Sequence, residues 1–193
     1  MTGVQTCALP ISDRPTGLGV ARLSERFRAI SFAPGNLRRE AALRGVSPER
    51  LVFAPKIALP DHLARHRLAD LFLDTQPWNA HTTASDALWA GLPVLTCAGT
   101  TFAARVAASL LHAVGLDDLI AHSFAEYEAL AVALARQPTL LADLKQKLAR
   151  NRDSYPLFDT DRSRRAIEAA YAEMHARHRR GEAPASFAIP PLT

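Results

Sequence analysis

The sequence predicts an α/β fold built on a Rossmann-like parallel sheet with helices at its C-terminal end, and three observations carry that reading. Short apolar runs at 51–54, 68–73, 93–97 and 119–121 read as buried strands. Helical patterns lie between them, which is the alternation of a parallel sheet covered on both faces. Apolar residues make up 48% of the 193, enough for one well-buried core.

The elements follow in chain order. Met1 to Ser12, MTGVQTCALPIS, has no helical or strand period and leads into the polar Pro/Gly stretch 13–19. It resembles the translation of a sequencing-adapter oligonucleotide, so residues 1–35 are expected to be artefactual or disordered, with out-of-frame sequence up to about Phe32. A nucleotide-binding lobe is expected over 36–160, a C-terminal helix over 161–180 and a flexible tail over 181–193. Asn36 caps a helix Leu37–Arg44, which Gly45 ends. Ser47-Pro48-Glu49 is a turn before the strand Leu51–Ala54. Pro60 fits the first turn of a helix running to about Arg67, and Leu68–Leu73 is the second strand, closed by Asp74-Thr75. Thr82 or Thr83 starts a helix through Ala90, with Gly91 as its stop. Pro93–Cys97 is the third strand, Thr101–Val114 a helix ended by Gly115, and Leu119–Ala121 a short fourth strand. Ser123 caps the next helix, with Glu126 at the capping-box position. Helices over 138–151 and 161–179 complete the pattern.

Composition narrows the function classes. The formal charge is +4, from 23 Lys and Arg against 19 Asp and Glu. The arginine excess near the end (Arg162, Arg164, Arg165, Arg177, Arg179, Arg180) lacks the aromatic or base-reading groups of a nucleic-acid footprint. Nothing approaches the roughly 18 consecutive apolar residues of a membrane span, and the first residues do not read as a secretory signal. Neither nucleic acid nor membrane is an expected partner, and a cytoplasmic location is expected. Cys7 and Cys97 have no second pair, and the seven histidines follow no ligand spacing, so no metal site is expected. A GxGxxG fingerprint and a P-loop are both missing.

In parallel sheets the ligand sits outside the carboxyl ends of the strands. That rule selects the loops Ala54–Asp61, Asp74–Thr83 and Cys97–Thr101. His81, Thr82 and Thr83 lie where the second loop feeds a helix, so free N–H groups and hydroxyls there can cradle a diphosphate; Thr82 or Thr83 can equally serve as the N-cap. Asp86, on the first helical turn, can accept bonds from ribose hydroxyls or simply favour the helix N-terminus. His62 can stack on a base or stand exposed on its helix.

The segments Leu68-Ala69-Asp70, Leu73-Asp74-Thr75, Asn79-Ala80-His81-Thr82-Thr83, Asp86 through Val94 (DALWAGLPV) and Arg105-Val106-Ala107-Ala108-Ser109 together resemble the C-terminal catalytic lobe of the O-linked N-acetylglucosamine transferases, the SPINDLY-like and tetratricopeptide-linked enzymes. The resemblance implies one lobe of a GT-B glycosyltransferase that moves N-acetylglucosamine from UDP-N-acetylglucosamine to Ser or Thr hydroxyls with inversion, without a required metal or other cofactor. Carried over, the His81-Thr82-Thr83 loop holds the diphosphate, Asp86 binds the uridine ribose, His62 packs near the uracil, and main chain around Ile57 contacts the base. A lysine of some members falls on Leu59 here, with Lys56 nearby, and the Gly-Glu-Thr of many bacterial members reads Gly99-Thr100-Thr101. The family's first lobe, its proposed catalytic histidine and the acceptor groove precede the matched region, so no catalytic residue is assigned and little or no transfer is expected of these residues alone. The alternatives are a related transferase using GDP-fucose and a non-catalytic nucleotide-binding remnant.

Overall fold

A computed structural model of the chain describes residues 32–190; the adapter-like segment lies outside them. The first helix, α1 (Phe32–Leu43), begins before the expected Asn36 cap. Pro34 sits in its first turn, where a missing N–H costs nothing. Asn36 is therefore an interior residue whose Oδ1 accepts from Arg39 Nη2 at 3.0 Å. Gly45, at φ +74°, ends the helix as expected.

Among the described residues the expected strand at 51–54 pairs with no strand of the sheet, and Val52 alone is a bridge residue. Leu51, Val52 and Phe53 are half-buried, unlike a central parallel strand, and the Arg38 guanidinium covers the Phe53 ring at 5.0 Å. The run packs beside α1 through that contact. Next comes α2 (Leu59–Arg65), followed by a 3-10 turn His66–Leu68. That turn takes the beginning of the expected strand 68–73 to the surface, where Leu68 is 68% exposed. Only Phe72–Leu73 remain as β1.

The sheet among the described residues runs β1–β2–β3, all parallel, with β2 (Val94–Cys97) in the middle. Its two halves serve different neighbours. Phe72 and Leu73 align with Val94 and Leu95, while Thr96 and Cys97 align with Ile120 and Ala121 of β3 (Ile120–Ala121). Between them stand α3 (Thr82–Trp89) and α4 (Val106–Ala113), and α5 (Phe124–Arg136) and α6 (Pro138–Arg152) follow. The expected helix start at Thr101 is too early. Gly99 N–H donates to the Ala104 carbonyl, and the Ala103 carbonyl accepts from Asn79 N–H. These bonds commit 99–105 to turns, and α4 begins only at Val106.

Both faces of β2 are covered. Leu88 of α3, Leu111 of α4, Leu134 of α5 and Leu148 of α6 are all 0% exposed. Each such leucine stabilises the fold by roughly 1.5–3 kcal/mol. At the start of α5, Ser123 Oγ accepts from Glu126 N–H at 3.2 Å and the Glu126 carboxylate accepts from His122 N–H at 2.7 Å. Gly115 follows α4 at φ +68°, and a Cβ there would sit 2.3 Å from the Tyr155 ring. Asn151 closes the same corner by donating to the Val114 carbonyl at 2.8 Å.

The last helix, α7 (Thr160–Arg179), buries none of its residues, and Ile167, Tyr171 and Met174 stand exposed. Residues 181–190 form no regular element, although the Arg177 guanidinium lies 5.5 Å from the Phe187 ring. No described helix is long and apolar enough to cross a membrane.

Candidate functional site

The carboxyl ends of β1 and β2 open onto the loop Asp74–His81, which delivers the chain to α3. Asp74 leaves β1 with its N–H bonded to the Leu95 carbonyl at 3.0 Å. Its carboxylate is 7% exposed and turned inward. Oδ1 accepts from Thr75 N–H at 2.8 Å and Ala80 N–H at 2.7 Å, and Oδ2 accepts from the Thr96 hydroxyl at 2.6 Å. Burial pushes the Asp74 carboxyl above the usual carboxylate range, while these three donors pull it back. The Tyr127 hydroxyl of α5 donates to the Asp74 carbonyl at 2.9 Å.

The rest of the loop is fastened in the same way. Thr75 hydroxyl donates to the Trp78 carbonyl, Asn79 Nδ2 to the Thr75 carbonyl, and Gln76 Nε2 to the Cys97 carbonyl across the sheet edge. Asn79 is buried, and its Oδ1 has no partner among the described residues. Cys97 is a buried free thiol whose acidity burial lowers.

The N-cap of α3 is His81, not Thr82 or Thr83, and no side chain caps the helix. The His81 carbonyl takes Ala84 and Ser85 N–H. The amides and hydroxyls of Thr82 and Thr83 therefore remain without hydrogen-bond partners among the described residues. His81 is fixed beside them. Its Nε2 donates to the Ala103 carbonyl at 3.3 Å, Trp78 stacks on it, and Phe102 meets it edge-on. Asp86 lies one turn along α3 and is partly exposed. Two open amides, two hydroxyls and a helix N-terminus are groups that can donate to an anion.

His62 belongs to α2, yet the Asp86 charge acts on it. Burial lowers the His62 pKa most, Arg65 and His66 lower it further, and Asp86 opposes them. The Arg65 guanidinium meets His62 Nδ1, which must then be the unprotonated nitrogen. His66 contacts the His62 carbonyl at 2.8 Å, and its ring meets that of His62 edge-on. Ile57 stands on the loop before α2, 38% exposed. Of the six residues expected from sequence, His81, Thr82, Thr83 and Asp86 share the head of α3, while His62 lies on α2 and Ile57 on the loop before it. Sequence reasoning missed Asp74, Asn79 and Gln76 as the frame of the site. An acid at the end of an apolar strand was the available signal for Asp74. Among the described residues no three His, Cys, Asp or Glu side chains are grouped to hold a metal ion.

Residues 26–167 match glycosyl transferase family 41. The chain belongs to that family. This family 41 chain is 40% identical over 153 residues to a probable UDP-N-acetylglucosamine–peptide N-acetylglucosaminyltransferase of Arabidopsis thaliana, covering 79% of the chain and 16% of the relative. It is 36% identical over 146 residues to the corresponding Caenorhabditis elegans protein, covering 76% of the chain and 13% of the relative. A solved Thermobaculum terrenum O-GlcNAc transferase mutant superposes with a TM-score of 0.65 at 34% identity, covering 75% of this chain and 28% of that one. The α/β fold is thus that of a part of the GT-B O-GlcNAc transferases, and the family 41 chain spans a minor share of each relative's length.

Proposed function

We propose that this chain supplies the UDP-binding half of a protein O-GlcNAc transferase, an enzyme that moves N-acetylglucosamine from UDP-N-acetylglucosamine to Ser or Thr hydroxyls of proteins with inversion. The observation that carries the reading is the open head of α3, where the Thr82 and Thr83 amides and hydroxyls lack partners among the described residues beside an anchored His81. As the acceptor oxygen bonds to the anomeric carbon, the bond from that carbon to the diphosphate breaks and negative charge grows on the UDP leaving group. Preorganised N–H groups at a helix N-terminus stabilise that charge without reorganising. Asp86 takes the ribose hydroxyls, and His62 and the main chain around Ile57 take the uracil. Neither a metal nor a further cofactor enters this scheme. The group that activates the acceptor hydroxyl and the surface that holds the acceptor protein belong to other parts of the enzyme, so these residues alone bind donor without transferring sugar. A cytoplasmic setting belongs to the same proposal, and the buried free thiol of Cys97 is compatible with a reducing compartment.

Calorimetric titration of the chain with UDP and with GDP tests the reading. UDP should bind more tightly than GDP, and Thr83→Val should weaken UDP about tenfold by removing one hydroxyl bond to an anion. Equal affinity for both nucleotides, or an unchanged UDP affinity in Thr83→Val, would contradict it.

A further inference from the structure

The family resemblance assigns ligand contacts to the head of α3 and says nothing of what shapes the loop before it. That loop is built around one buried acid. All three donors to the Asp74 carboxylate come from the protein: Thr75 N–H, Ala80 N–H and the Thr96 hydroxyl. The residue is buried and both its carboxylate oxygens are already engaged, so Asp74 is not placed to touch a ligand. The bond to Ala80 N–H spans six residues and pins the far end of the loop next to His81. The Thr96 hydroxyl fixes the other oxygen to the central strand, and Tyr127 holds the Asp74 carbonyl from α5. Strand, loop and helix thus meet on a single residue. A loop of this length without such a tie would sample many shapes, and ordering it would subtract from binding.

We propose that Asp74 is a positioning residue of the nucleotide site: its buried carboxylate, tied to Ala80 N–H and the Thr96 hydroxyl, holds the 74–81 loop in the shape that presents the Thr82 and Thr83 amides. The assignment rests on the nucleotide reading for its ligand and on hydrogen bonding alone for its geometry.

The test compares four variants of the full chain: Asp74→Ala, Thr96→Val, Thr96→Ser and, as a control remote from the loop, Leu144→Ala in the α6 core. UDP affinity and hydrogen exchange at the Ala80 amide are measured under conditions where each is folded. Asp74→Ala should weaken UDP binding about tenfold and Thr96→Val about threefold, as expected for losing charged and single hydrogen-bond ties. Thr96→Ser keeps the hydroxyl and should restore affinity to within about twofold. Ala80 exchange should quicken in Asp74→Ala and Thr96→Val and not in Thr96→Ser. Leu144→Ala should lower the unfolding midpoint while leaving UDP affinity and Ala80 exchange at the folded-state values. If Asp74→Ala does not fold, the Thr96→Val and Thr96→Ser pair decides. UDP affinity that simply follows the unfolding midpoint across all variants would overturn the proposal, as would a slow Ala80 amide in Thr96→Val. If the unaltered chain binds no UDP but Ala80 exchange responds as expected, the nucleotide reading falls and the positioning role of Asp74 stands.

Discussion

The loops 54–61 and 74–81 are held in opposite ways. In the second, the Asp74 carboxylate, the Thr75 hydroxyl, the Gln76 and Asn79 amides and the His81 ring all bond to nearby main chain or strand. In the first, Pro55 through Asp61 are exposed, and the Pro55 carbonyl is reached by Arg65 from α2 at 3.1 Å. Under the proposed function the difference matches two recognition tasks. A diphosphate is small, rigid and charged, and its donors are most useful when fixed beforehand. A base is a flat apolar face that a looser rim can close over, at some cost in ordering.

Breaking the tied loop at its centre should have the largest effect. Asp74→Ala orphans the Thr75 and Ala80 amides and the buried Thr96 hydroxyl, and should cost about 3 kcal/mol in urea unfolding; a loss below about 1 kcal/mol would mean the loop does not depend on the carboxylate. Gly99→Ala strikes the same loop from its neighbour. The new Cβ would lie 2.5 Å from Ala104 Cβ, in the turn whose Ala103 carbonyl receives Asn79 N–H. That crowding should cost about 1–2 kcal/mol and weaken UDP binding as well.

The acidity of Asp74 gives a smaller, signed effect. Its folded-state pKa is raised, chiefly by burial, so its contribution to stability is fully present below the unfolded pKa and is lost as pH rises through the folded one. Asp74→Asn cannot ionise and keeps an acceptor for the two amides. Relative to the unaltered chain its stability should therefore improve as pH is raised from about 3 into the neutral range; a difference that is flat or falls with pH would show that the three donors outweigh burial. Ile57→Ala on the loose rim should do least: about 0.5 kcal/mol or less in stability, for a side chain already partly exposed, and a few-fold in UDP affinity.

How much of this was legible in the sequence differs between the same two regions. The βα alternation, the central strand Val94–Cys97, the helix beginning at Thr82 and the Ser123–Glu126 capping box could all be read because local pattern and tertiary role agree there. Leu51–Ala54 has the composition of a strand, but only pairing with a neighbour makes one, and composition does not report pairing. Thr101–Arg105 has helical composition, yet its Ala103 and Ala104 carbonyls are claimed by the Asn79 and Gly99 N–H groups from outside the segment. Thr82 looked like a cap because hydroxyl residues favour caps, whereas here the hydroxyls stay open and His81 occupies the cap. Asp74 read as a strand terminator, since nothing local announces that Ala80 and Thr96 will meet on its carboxylate.

The most direct test is the amide spectrum of the labelled chain titrated with UDP. The account predicts saturable shifts largest at Thr82 and Thr83, next at Ala80, His81 and Asp86, and smaller ones at Ile57 and His62. Shifts that leave Thr82 and Thr83 unmoved, or that cluster on α6 and α7, would contradict it.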